Sequence, residues 1–134
     1  MKHLQFNHAA FLACALFQWV LGVVWYSPLL FGKPWAAMVN FDPKKRRSPM
    51  LYGAVSLLAN LSISFLLLHE IQWAQINGLK RGAFLGFVLW CGFFAAPLFV
   101  ANFYESRPYR LFAIQAGYWL IALVGSGAML ARWL

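Results

Sequence analysis

The stretch Trp25-Tyr26-Ser27-Pro28-Leu29-Leu30-Phe31-Gly32-Lys33-Pro34-Trp35 closes a long apolar segment and opens a basic one. Aromatic residues with a polar edge, two prolines, a glycine and a lysine suit the boundary between hydrocarbon and water. The stretch marks where a chain leaves a membrane. The segments on either side of it set the fold.

Of the 134 residues, 63% are hydrophobic and 10% charged. Soluble domains carry about 25% charged residues. A larger core cannot absorb the difference, because a short chain has a high ratio of surface to volume. A bilayer core asks for about 20 mostly apolar residues per helix. Four segments meet that requirement, at about residues 7–26, 50–68, 80–101 and 111–131, and none has a charge near its middle. The expectation is an all-α, polytopic, single-domain protein built as a four-transmembrane-helix bundle. The first segment ends in Trp25, Tyr26 and Pro28 rather than a small-x-small cleavage site. It therefore reads as a retained membrane helix rather than a signal peptide.

The net charge is +8. The basic residues cluster beside apolar spans, which points to anionic lipid headgroups and away from nucleic acid. Lys33, Lys44, Lys45, Arg46, Arg47, Arg107 and Arg110 fall in the first and third loops, against Lys2, Lys80, Arg81 and Arg132 on the other side. The positive-inside rule places those two loops in the cytoplasm and both termini outside. In the first loop, Pro34 suits the start of a short interfacial helix, with Trp35, Met38 and Val39 on one face.

Helices in lipid associate by close packing and hydrogen bonds. Gly78, Gly82 and Gly86 repeat at intervals of four, and Gly117 lies in the last span. These are the expected packing glycines. Gln18, Ser56, Asn60, Ser64 and Gln115 are the intramembrane polar residues. An uncompensated amide in hydrocarbon is costly, so Gln18, Asn60 and Gln115 are expected to face inward and bond across helices. Pro97 is expected to release a carbonyl and kink the third span.

The string WYSPLLFGKPW after the first span resembles the signature of a family of small bacterial membrane proteins catalogued only as a domain of unknown function. The four spans, the basic first loop and the Gly117-Tyr118 pair are similar to that family as well. The resemblance covers nearly the whole chain. It implies an integral protein of the bacterial inner membrane and brings no activity with it.

Two clusters follow from the expected topology. On the cytoplasmic side, Lys33, Asn102, Glu105, Arg107 and Arg110 gather near the interfacial residues Trp25, Tyr26, Ser27, Pro28, Gly32 and Trp35 as a candidate headgroup or anion site. On the outer side, His3, His8, His69 and Glu70 are candidate metal ligands, and His8 and His69 candidate haem ligands. Nothing in their spacing selects a metal, so no cofactor is expected. Cys14 and Cys91 read as small packing residues. Walker, G-x-S-x-G and H-E-x-x-H motifs are missing from the sequence, and the first span has no carboxylate of the kind proton-coupled pumps use. The expected function is non-catalytic, as a homo-oligomer or an accessory subunit of a larger membrane complex. Alternatives are a small transporter or pore for a neutral solute, then a metal- or haem-binding subunit.

Overall fold

A computed structural model describes residues 7–39 and 49–133. His3 and the basic run Lys44–Arg47 lie outside the described residues. Within them the chain is helical and has no strand. Helix α1 spans His8–Trp25, α2 Gly32–Met38, α3 Pro49–Trp73, α4 Leu79–Leu89, α5 Ala96–Tyr104 and α6 Tyr109–Trp133. A π-helical segment, Trp90–Ala95, joins α4 to α5. Four helical spans, with α4 and α5 counted as one, are long and apolar enough to cross a membrane.

Local chemistry explains the ends. Asn7 caps α1 by accepting from the Ala10 N–H at 3.0 Å. Pro49 opens α3, where its missing N–H costs nothing. After α3, Gln75 takes the left-handed conformation with φ 54°, and the Ile76 N–H reaches back to the Ile71 carbonyl. After α5, Ser106 does the same with φ 56°, and the Arg107 N–H bonds the Asn102 carbonyl. Both are Schellman stops, and both turn the chain tightly into the next helix. Helix α3 continues past residue 68, so His69 and Glu70 sit within it rather than at its end.

Pro97 falls in the first turn of α5. A wide turn precedes it, in which the Ala96 N–H bonds the Cys91 carbonyl five residues back. The third span thus accommodates its proline by a local change of helical pitch.

Helix α6 is central. It buries residues along its length, from Leu111 to Ala131. Helices α1 and α3 pack on it from one side and α4 from another. Helix α3 joins from its middle to its C-terminal end, where Asn60, Ser64, Leu67, Leu68 and Ile71 are buried. Those leucines and Ile71 meet Ala10, Cys14, Leu130 and Ala131 in one apolar cluster. Helix α4 approaches α6 closely because Gly82, Gly86 and Gly127 have no side chains. A Cβ on Gly82 would run into the Gly127 carbonyl, and one on Gly86 into that of Leu123.

Candidate functional site

Polar side chains from α1, α3 and α6 meet in the interior of the bundle. Gln18 Nε2 donates to Ser126 Oγ at 3.0 Å and approaches Cys14 Sγ at 3.5 Å. The Ser64 hydroxyl points to the same sulfur at 3.4 Å. Tyr118 donates its hydroxyl to the main-chain carbonyl of Gln18 at 2.8 Å and lies 3.4 Å from Asn60 Oδ1. Gln18, Ser64 and Ser126 are fully buried, and Asn60 is nearly so. Gln18 Oε1 is buried with no hydrogen-bond partner. The cluster ties three helices together and leaves one carbonyl acceptor over.

Of the five intramembrane polar residues singled out in the sequence, Gln18, Asn60 and Ser64 share this cluster. Ser56 does not join them: it is exposed, in a run 54–59 that is exposed throughout. Gln115 is half-buried outside the cluster. Ser126 and Tyr118 complete it. In the sequence Ser126 is a hydroxyl inside an otherwise apolar span, and Tyr118 stands out only through the Gly117-Tyr118 pair.

The Trp25–Trp35 stretch folds back on the bundle. Trp25 donates its indole N–H to the Ile114 carbonyl of α6 at 2.9 Å and packs on Phe31 with ring centres 4.7 Å apart. Tyr26 contacts the rings of Trp35 and Tyr118 at 5.7 and 5.9 Å. The Ser27 hydroxyl donates to the Val24 carbonyl, and the Ser27 carbonyl accepts from the Gly32 N–H at 3.0 Å. A Cβ on Gly32 would strike the Tyr26 carbonyl, so the turn admits only glycine there. Helix α2 starts at Gly32, which makes Pro34 its third residue rather than its first. The missing N–H is still one of the four that a helix start leaves unbonded. Pro28 and Lys33 are exposed.

At the α5–α6 turn, Asn102 Nδ2 donates to the carbonyls of Arg107 and Pro108 at 3.1 and 3.3 Å. Its Oδ1 is buried without a partner. Glu105 pairs with Arg107 at 2.7 Å, with both side chains about half exposed. Such a pair contributes little, about 0 to 1 kcal/mol. Lys33 and Arg110 are exposed, and neither forms an ion pair among the described residues. The turn is therefore built mainly by Asn102, which acts as a local brace.

The expected packing glycines divide by role. Gly82 and Gly86 meet the α6 backbone, and Gly117 lies against the Trp25 ring, 3.1 Å from where a Cβ would stand. Gly78 does not pack. It precedes α4 with φ 92° and open space around it, so it serves the turn. Near the end of α3, His69 Nδ1 lies 2.7 Å from the Phe65 carbonyl, and the ring sits between Phe65 and Trp73. His8 and Glu70 are exposed. Among the described residues, no three His, Cys, Asp or Glu side chains converge as a ligand set.

A family profile described as "Protein of unknown function (DUF1761)" matches residues 9–131. No curated protein and no solved structure matches the chain.

Proposed function

The chain belongs to the DUF1761 family, and from that premise we propose that it is a non-catalytic membrane protein that works by association, as a homo-oligomer or as an accessory subunit of a larger membrane complex. The closed polar cluster is the observation that carries this. A solute pathway needs polar groups facing an open passage. Here Gln18, Asn60 and Ser64 are at most 2% exposed and meet neighbouring polar groups. Groups arranged in this way hold helices in register, each bond being worth about 0.6 to 2 kcal/mol in a bilayer. The transporter alternative ranks below for the same reason, and the metal- or haem-binding alternative ranks last.

We assign association to the outer face of the third span at the π segment and α5. Phe93 and Phe103 are exposed there, and Gly92 has no atom near the position of a Cβ. The setting we propose is the bacterial inner membrane, with the first and third loops cytoplasmic, both termini outside, and anionic headgroups along the basic first loop.

Thiol cross-linking in native membranes tests the assignment. Cys91 is exposed on the third span and Cys14 is buried. A bismaleimide should link Cys91 to a second copy or to a partner subunit. Gly92→Trp should abolish that product while helicity stays unchanged, since no atom of the monomer lies within 4 Å of a Cβ at that position. A chain that remains uncross-linked, and is extracted as a monomer with no companion subunit, removes the proposal.

A further inference from the structure

Lys80 and Arg81 are exposed at the start of α4, and neither forms an ion pair among the described residues. Both line one groove of about 560 Å³, whose other walls are Ile76, Phe84, Leu85 and Val88. The groove is thus basic at one end and apolar along the rest. Lys80, Phe84 and Val88 recur every four residues, as do Arg81 and Leu85, so two adjacent rows of one helix form its wall. From Lys80 to Val88 the helix rises about 12 Å. One leaflet contributes about 15 Å of hydrocarbon to a bilayer.

We propose that an anionic phospholipid occupies this groove, with its phosphate at Lys80 and Arg81 and one acyl chain along Phe84, Leu85 and Val88. The charge pattern selects that occupant. Two cations without carboxylate partners among the described residues, beside an apolar trough, match a negative headgroup joined to a hydrocarbon chain. The long stems of both residues can lie on the apolar wall while their charges reach the interface. A second copy of the chain fits poorly, because a two-fold contact on this face would bring four cations together. The groove ends at Val88, about one helical turn before the association face at Gly92, and neither proposal depends on the other.

Native mass spectrometry of the protein in neutral detergent tests the site, with phosphatidylglycerol, phosphatidylcholine and inorganic phosphate as probes. Phosphatidylglycerol should bind more tightly than phosphatidylcholine, and millimolar phosphate should not displace it. Lys80→Ala with Arg81→Ala should weaken phosphatidylglycerol binding about thirtyfold, from roughly fivefold per cation. The exchange Lys80→Arg with Arg81→Lys should retain it. Val88→Trp, which fills the trough, should weaken both lipids. Arg132→Ala, at an exposed cation that does not line the groove, should change nothing. Unchanged binding in the double alanine variant overturns the proposal, as does an equal loss in the Arg132→Ala control. Full displacement by phosphate would mark a free-anion site instead. A change of oligomeric state in Val88→Trp with lipid binding intact would mark a protein interface. Either of those results also overturns it.

Discussion

Gln18 presents an amide to the interior of an apolar bundle, and only half of that amide is answered. Its nitrogen reaches Ser126 and Cys14, while Oε1 has no partner. An unmade bond in a buried site offsets much of what the made one contributes. Tyr118 differs, because its hydroxyl meets both the main-chain carbonyl of Gln18 and Asn60 Oδ1. Tyr118→Phe should therefore cost about 0.6 to 2 kcal/mol. Gln18→Leu should cost less, although Gln18 is fully buried. Denaturant unfolding in detergent, followed by far-ultraviolet circular dichroism, gives the two values. A larger loss for Gln18→Leu would mean that the carbonyl is bonded in the membrane, and the cluster would then need a further donor. The amides themselves were readable, since an Asn or Gln in an apolar segment must find a partner. Ser126 as the partner of Gln18 was not readable, because 108 residues separate them and no local pattern links them.

Glycine spacing illustrates the same limit at the scale of elements. Gly78, Gly82 and Gly86 form one run at intervals of four in the sequence. In the fold, Gly82 and Gly86 meet the backbone of α6, while Gly78 supplies a positive φ before α4 begins. The difference arises at the helix start, one residue after Gly78, where the face argument ceases to apply. Gly82→Ile should push α4 off α6 and destabilise the protein by about 2 kcal/mol or more. Trp90 offers a probe for this contact, since its indole N–H bonds the Ala116 carbonyl of α6 at 2.8 Å. Its fluorescence should shift toward that of a solvent- or lipid-exposed indole in the variant. An unchanged spectrum and unchanged unfolding would show that the α4–α6 approach is looser than the structure has it. Pro97 also acts at this scale, through the π turn that precedes it rather than through a broken helix.

For the whole molecule, the bias of basic residues toward the first and third loops is the observation on which orientation rests. Asn77 lies in the α3–α4 turn and Tyr104 at the end of α5, at opposite ends of the third span, and both are exposed. With both native cysteines replaced by serine, Asn77→Cys should react with an impermeant maleimide added to intact cells. Tyr104→Cys should react only after the membrane is opened. The reverse pattern would invert the topology and move the groove at Lys80 and Arg81 to the cytoplasmic leaflet. The bundle places α6 at the centre and leaves the third span mostly outward-facing. Such an arrangement gives that span a surface for lipid or for another chain.

The sequence by itself determined that the chain is all-helical, that four segments are long and apolar enough to cross a membrane, and that it resembles a family without an assigned function. Those properties depend on composition and on short-range periodicity, which every window of the chain carries locally. Only the tertiary structure decided that α6 is central, that Ser56 is exposed while Asn60 and Ser64 are buried, and that Gly32 cannot carry a side chain. Helix-helix contacts in an apolar medium are selected by fit between particular backbones and side chains, because hydrophobicity is nearly the same on every face. That fit exists only when residues far apart in the chain have been brought together.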